Sequence, residues 1–167
     1  CIEAILSPIN DPPAEAVGID GIEKIIKEES LIRACKDGQD KEARWGMMMA
    51  STEGAMAFSK GLGAVHSMSH AIGANQELGL HHGTLNAVIL PSVLRFNQDH
   101  VGNKYSRIAR AMGKSETINL AAEIEKLNEK IGMPSNLEEM GVTEDMIPDL
   151  ITHAMTCLLY TSDAADE

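Results

Sequence analysis

Residues 40–60 read Asp40-Lys41-Glu42-Ala43-Arg44-Trp45-Gly46-Met47-Met48-Met49-Ala50-Ser51-Thr52-Glu53-Gly54-Ala55-Met56-Ala57-Phe58-Ser59-Lys60. Within them the small or flexible residues Ala43, Met47, Ala50, Gly54 and Ala57, with Gly61 just beyond, recur at alternating four- and three-residue steps, the period of one helix face. Small side chains along that face let a neighbouring helix approach closely. The stretch therefore predicts the central helix of a bundle. Met47, Met48 and Met49 are expected to fill irregular gaps in the core, because methionine is unbranched and flexible.

Upstream, Asn10-Asp11-Pro12-Pro13 marks a turn that feeds a helix, since proline suits a first helical turn and disfavours helix in the residue before it. A long helix is expected from about Pro13 into the thirties. Ala16, Ile19, Ile22, Ile25 and Ile26 form its packed side, while Glu15, Asp20, Glu23, Lys24 and Lys27 take other faces. Arg33 and Lys36 favour the negative end of its dipole, and Asp37-Gly38 signals the stop. Downstream, helical patterns cover 85–96, 101–112, 117–131 and 144–155. Ser115 and Thr143 are the expected N-caps, and Pro91 is expected to kink or divide the first of these helices. No alternating strand, internal repeat or low-complexity tract interrupts the pattern. The fold class predicted is all-α, a multi-helix bundle-like domain.

The chain has 167 residues, 44% of them hydrophobic, which suits one globular domain with a real core. Its formal net charge of −11 would repel a phosphate backbone, and its 3% aromatic content offers no stacking platform for bases. Nucleic acid is thus excluded as a partner. The most apolar stretch, 46–65, carries Glu53 and Lys60, which argues against a membrane span. Cys1, Cys35 and Cys157 show no CxxC or zinc-ribbon spacing, and their odd number points to a reducing cytoplasm.

Chemistry is concentrated at one place. His66 and His70 lie four residues apart, and His81-His82 follow before Gly83, so four of the six histidines fall within a short segment rich in glycine (Gly61, Gly63, Gly73, Gly79, Gly83). Positions i and i+4 share a helix face, so both imidazoles can point into one cleft. Neutral imidazole ligates zinc or ferrous iron and also moves protons near neutral pH. Asp99, His100 and His153 lie outside the cluster and are assigned no role. Neither HExxH nor the paired Glu-x-x-His helices of ferritin-like proteins occurs.

The segment 61–97 resembles the iron-containing (group III) alcohol dehydrogenase family. The matching features are Gly61-Leu62-Gly63-Ala64-Val65-His66, His70 four residues on, His82-Gly83, Asn86-Ala87-Val88-Ile89-Leu90-Pro91 and Arg95-Phe96-Asn97. Cys1-Ile2-Glu3-Ala4, Leu6-Ser7-Pro8, Pro12-Pro13-Ala14 and Asp20-Gly21 look like the stretch that begins the family's helical domain. His81 stands where the family commonly has proline. The resemblance implies the helical half of a two-domain, dehydroquinate synthase-like architecture, whose N-terminal α/β nucleotide-binding domain is absent from residues 1–167.

What the resemblance implies for function is specific. A divalent metal, Fe2+ or Zn2+, is held in the family by one Asp and three His. By motif position His66 and His82 would be two of those ligands, and the other two would fall immediately before Cys1. His70 would be the unligated histidine near nicotinamide and substrate, both catalytic and cofactor-contacting. NAD or NADP would be bound mainly by the preceding domain. The implied activity interconverts a small alcohol and an aldehyde or ketone by hydride transfer, in an enzyme that is a homo-oligomer when complete. Such parts suit the reaction: the cation polarises the carbonyl, nicotinamide carries the redox step, and a nearby histidine relays the proton. Alternatives are a reductase of the same superfamily, of the maleylacetate reductase or hydroxybutyrate dehydrogenase type, and a helical metal-binding or storage protein without redox activity. Residues 1–157 are expected to form the helical metal-site domain, incomplete at both ends, and 158–167 a non-native tail.

Overall fold

The structure is a computed structural model that describes residues 1–156; the proposed tail at 158–167 lies outside the described residues. Among the described residues there is no strand, and the α-helices run in chain order as α1 (Ile2–Leu6), α2 (Pro12–Ile22), α3 (Ser30–Lys36), α4 (Lys41–Met56), α5 (Ala64–Gly73), α6 (His82–Asn97), α7 (Lys104–Ala111), α8 (Leu120–Lys130) and α9 (Ile147–Met155). The all-α expectation holds. None of these helices is long and apolar enough to cross a membrane. The helices gather into two compact units, one made of Cys1–Gly61 with Gln98–Asn119, the other of Leu62–Asn97 with Leu120 onward.

In the first unit, local rules set the helix starts. Asp11 caps α2 by accepting from the Ala14 N–H at 3.1 Å, with proline in the first turn, and Asp40 caps α4 by accepting from Ala43 at 3.0 Å. The long helix expected from Pro13 is instead three pieces. After α2 comes a π-helical turn at Glu23–Lys27, and Glu29 takes a left-handed φ of 56° before α3 begins. The final stop near Asp37 is as read. The packed face of α2 is Ala14, Gly18, Gly21 and Ile22, while Ala16 is exposed.

The reason is close approach. A Cβ on Gly21 would lie 2.8 Å from Cys1 Sγ and 3.5 Å from the Ala50 carbonyl of α4. On α4 the buried residues are Ala43, Gly46, Ala50 and Gly54, so Gly46 rather than Met47 continues the small-residue face. A Cβ on Gly46 would meet Ser30 Oγ at 2.4 Å, leaving no room for a methionine there. Met48 is 68% exposed and Met47 and Met49 are half-buried, so the methionine run does not fill the core as expected.

Charge also enters this interior. Lys60 is fully buried; its ammonium donates to the Ile9 carbonyl and pairs with Glu15 Oε1 at 3.1 Å. Arg107 of α7 takes the other Glu15 oxygen at 2.5 Å, and Lys104 donates to the Leu6 and Ser7 carbonyls at 3.1 and 2.5 Å. Burial alone would raise the Glu15 carboxyl, but hydrogen bonds and charge from Arg107 and Lys60 outweigh it and hold the group below its ordinary value.

The second unit is built on branched aliphatics, with Val65 and Ile72 of α5 packed against Leu85, Ile89 and Val93 of α6 and with Val142. Burying each such side chain stabilises by about 1.5–3 kcal/mol. Pro91 does not divide α6, which runs unbroken from His82 to Asn97. Proline lacks the N–H that would bond the carbonyl four residues back, here that of Ala87. Asn128 of α8 supplies a substitute donor to that carbonyl at 2.7 Å. Ser115 does not cap α8, which starts at Leu120; its hydroxyl lies 3.1 Å from Thr117 Oγ1. Thr143 holds the cap position of a short 3-10 turn but makes no side-chain cap bond.

Candidate functional site

Two helix starts bring the histidines together. Gly61 adopts φ 75° at the end of the 3-10 turn Ala57–Lys60, a left-handed conformation that suits a residue without Cβ, and α5 begins at Ala64. His66 then falls in the first turn of α5 and His70 four residues on, as the spacing predicts. His82 opens α6, which packs along α5 through Val65, Ile72, Leu85 and Ile89. Ring centroids lie 5.4 Å apart for His66 and His82, 5.0 Å for His70 and His82, and 6.3 Å for His66 and His70.

The polar atoms between the rings define the site more closely. Asn86, one turn after His82, places its Nδ2 3.1 Å from His82 Nε2 and 3.4 Å from His66 Nε2. Its Oδ1 is buried and has no hydrogen-bond partner. On the other edge of the His82 ring, Nδ1 lies 3.3 Å from Ser69 Oγ. His82 stands at the solvent edge, yet partial burial of its ring, followed by repulsion from His66, His70 and His81, holds its pKa below the ordinary value. That shift favours the neutral ring, the form in which imidazole offers a lone pair.

The chemistry of this donor set suits a borderline divalent cation such as Fe2+ or Zn2+, since two imidazole Nε2 atoms turn toward the same neutral amide nitrogen. It is also half a set. Structural and catalytic sites of this kind take three or four protein ligands, and among the described residues no three His, Cys, Asp or Glu side chains are placed to hold one ion. His70 neighbours both rings without sharing Asn86. An apolar cavity of about 760 Å³ elsewhere in this unit is lined by Ser67, Val93, Phe96 and Ile151 among others; no histidine lines it, so it is separate from this cluster.

Asn86 and Ser69 are the site residues that reading the histidines alone passes over. Asn86 had a usable signal, standing four residues after His82 on one helix face. Ser69 had none, because its contact with His82 joins two different helices.

Comparison with known proteins shows the family. A sequence model described as the Fe-containing alcohol dehydrogenase family, C-terminal, matches residues 1–165. The chain belongs to that family. It is 45% identical over 162 residues to 4-hydroxybutyrate dehydrogenase of Cupriavidus necator, covering 93% of this chain and 42% of that protein. Among solved structures, 1,3-propanediol oxidoreductase superposes with a TM-score of 0.88 at 32% identity, over 96% of this chain and 43% of that one. Sulfoacetaldehyde reductase from Bifidobacterium kashiwanohense, solved in complex with NAD+, superposes with a TM-score of 0.82 at 25% identity, over 96% and 42%. The chain thus spans less than half the length of the relatives it matches, and it corresponds to their helical part.

Proposed function

We propose that this chain is the helical metal-site portion of an NAD(P)-dependent dehydrogenase that interconverts a small alcohol with its aldehyde or ketone. The observation that supports the reading is that His66 Nε2 and His82 Nε2, from two different helices, both face the same atom, Asn86 Nδ2, at 3.4 and 3.1 Å. These two histidines would hold a divalent cation, Fe2+ or Zn2+, together with an Asp and a His contributed from outside residues 1–167. When bound, such a cation lowers the pKa of an alcohol and polarises a carbonyl.

His70 has a different role in this reading. It is exposed, and its ring lies 5.0 Å from that of His82, so it stands beside the cation position without joining it. There it would take the hydroxyl proton of an alcohol and return it in the reverse direction, while nicotinamide would supply the hydride chemistry. NAD or NADP would be held mainly by a nucleotide-binding domain preceding this chain. The complete enzyme is proposed to be a homo-oligomer working in a reducing cytoplasm, where thiols such as the exposed Cys35 stay free.

The metal-storage reading is not favoured, because the relatives are named as dehydrogenases and reductases. A hydroxy-acid substrate is a second reading within the same chemistry, supported by the 45% identity to a 4-hydroxybutyrate dehydrogenase. Metal content and turnover of the complete protein test the roles together. His66→Ala and His82→Ala are expected to abolish metal retention, whereas His70→Ala keeps the metal and slows turnover by about 10²–10⁴-fold. Equal metal loss in all three variants overturns the assignment. Turnover of 4-hydroxybutyrate against an unsubstituted primary alcohol then separates the two substrate readings.

A further inference from the structure

Ser69 is a fully buried polar residue that the chemistry above does not use. Its hydroxyl stands 3.1 Å from the His66 carbonyl oxygen and 3.3 Å from His82 Nδ1. A serine hydroxyl has one proton to give and two lone pairs to accept with. The carbonyl can only accept, so that proton goes to His66 O, and the oxygen is left to accept from His82 Nδ1–H. On the opposite edge of the ring, Asn86 Nδ2 lies 3.1 Å from Nε2. An amide N–H can only donate, which requires a lone pair at Nε2. Both contacts demand the same tautomer of His82.

The reverse arrangement needs two changes at once. The Ser69 proton would have to swing to Nδ1, and the Asn86 amide would have to turn over so that its oxygen accepts from Nε2–H. That flip would carry the NH2 group to the buried position where Oδ1 has no partner. One unpaired acceptor would be exchanged for unpaired donors, each buried without the water it would otherwise bond. The arrangement with the proton on Nδ1 wins.

We infer that Ser69 is a positioning residue that holds His82 in the Nδ1–H tautomer and so presents the Nε2 lone pair, beside Asn86 and His66, to a divalent cation. One hydroxyl thereby ties the backbone of one candidate ligand to the ring of the other. The purpose rests on the reading of His82 as a ligand, whereas the tautomer itself does not. Partners that orient a ligating imidazole through its other ring nitrogen typically contribute about 10–100-fold to metal affinity.

Two measurements on the complete protein carrying this chain test it. In the metal-stripped protein, labelled with 15N in histidine and held at mildly alkaline pH, His82 is expected to show a pyrrole-like Nδ1 and a pyridine-like Nε2. Its signals are assigned by their loss in His82→Gln. A predominantly Nε2-protonated His82 in the unmutated protein overturns the inference outright. Ser69→Ala should shift His82 towards the other tautomer, and Ser69→Thr, which keeps the hydroxyl, should restore the original pattern. Should Ser69→Ala fail to fold, Ser69→Cys, of similar size with a weaker acceptor, is read the same way.

Zinc alone is the probe for the second measurement, a competition titration. Ser69→Ala should weaken Zn2+ binding by about 10–100-fold while Ser69→Thr stays near the unmutated value. Loss of zinc in His82→Ala with no change in Ser69→Ala overturns the role of Ser69 and leaves the ligand assignment standing. Unchanged zinc affinity in His82→Ala overturns the ligand assignment, and with it the purpose given to Ser69, even where the tautomer is as expected.

Discussion

The two units of this chain treat polar groups in opposite ways. The first packs helices so closely that glycine and alanine line the contacts, and it buries Lys60 against Glu15, which Arg107 also grips. The second packs Val, Ile and Leu, and keeps three imidazoles at its edge, two of them facing an amide whose oxygen has no partner. In the first, Lys60 meets Glu15 and the Ile9 carbonyl while Arg107 takes the second Glu15 oxygen, so this cluster is spent on holding a turn and two helices together. In the second, neutral groups hold the rings: Ser69 Oγ meets His82 Nδ1, and Asn86 Nδ2 meets the Nε2 atoms of His82 and His66. The difference teaches where to look for chemistry: a buried ion pair supports the fold, whereas imidazoles held by neutral partners at a solvent edge can exchange an amide contact for a ligand.

The largest expected effect breaks the first half of that comparison. Glu15→Gln removes the charge that Lys60 and Arg107 share, and leaves a fully buried ammonium with only the Ile9 carbonyl and a neutral amide. Removing one member of a buried ion pair costs about 3–5 kcal/mol. Urea unfolding should show a loss of that size, and a loss under about 1 kcal/mol would mean the pair behaves as a surface contact.

Next in size is Asn128→Ala in the second unit, which strips the Ala87 carbonyl of the donor that replaces the missing Pro91 N–H. A buried carbonyl left unpaired costs about 1–3 kcal/mol. The double variant Pro91→Ala/Asn128→Ala regains a backbone N–H at position 91 and should recover part of that loss. Additive losses in the double-mutant cycle would sever the proposed link.

A smaller effect is expected for Gly46→Ala on α4. Overpacking against Ser30 costs about 1–3 kcal/mol, and alanine gains about 1 kcal/mol over glycine in a helix interior. The net loss is about 1 kcal/mol, read from the shift of the urea midpoint. Stabilisation instead would show that α3 yields to the added methyl and that the first unit is less tightly packed than its distances state.

The smallest effect is a pH dependence. The Glu15 carboxyl lies below its ordinary value in the folded chain, so its contribution is fully present above about pH 4.3, the unfolded value, and is lost as pH falls through the folded one. Stability measured from pH 6 down to pH 3 should therefore fall less steeply in Glu15→Gln than in the unmutated chain. Identical slopes would assign the acid sensitivity to other carboxylates.

Particular residues show how far local reading reaches. Asp11 with Pro12, Asp40, and the His66–His70 step act through neighbours within one helical turn, and each stands where its spacing predicts. The break at Glu29, the exposure of Met48 and the continuity of α6 through Pro91 do not follow from neighbours in that way. Gly46 lies buried where Met47 was expected because Ser30 of α3 comes within contact of it, and α6 survives its proline because α8 brings Asn128 to the free carbonyl.

The same division holds at the site. Sequence by itself determined the helical class, the turn at Asp11-Pro12 that opens α2, and the pairing of His66 with His70 on one face, because backbone hydrogen bonding and side-chain period act over a few residues and are written into consecutive positions. Only the tertiary structure decided which histidine faces which, that Asn86 stands between His66 and His82, and that Ser69 reaches the far edge of the His82 ring. Apart from the Asn86–His82 contact, which lies within α6, these contacts join side chains on separate helices, and their distances are set by how closely the intervening Val65, Ile72, Leu85 and Ile89 pack, a property of the assembled core rather than of any one segment.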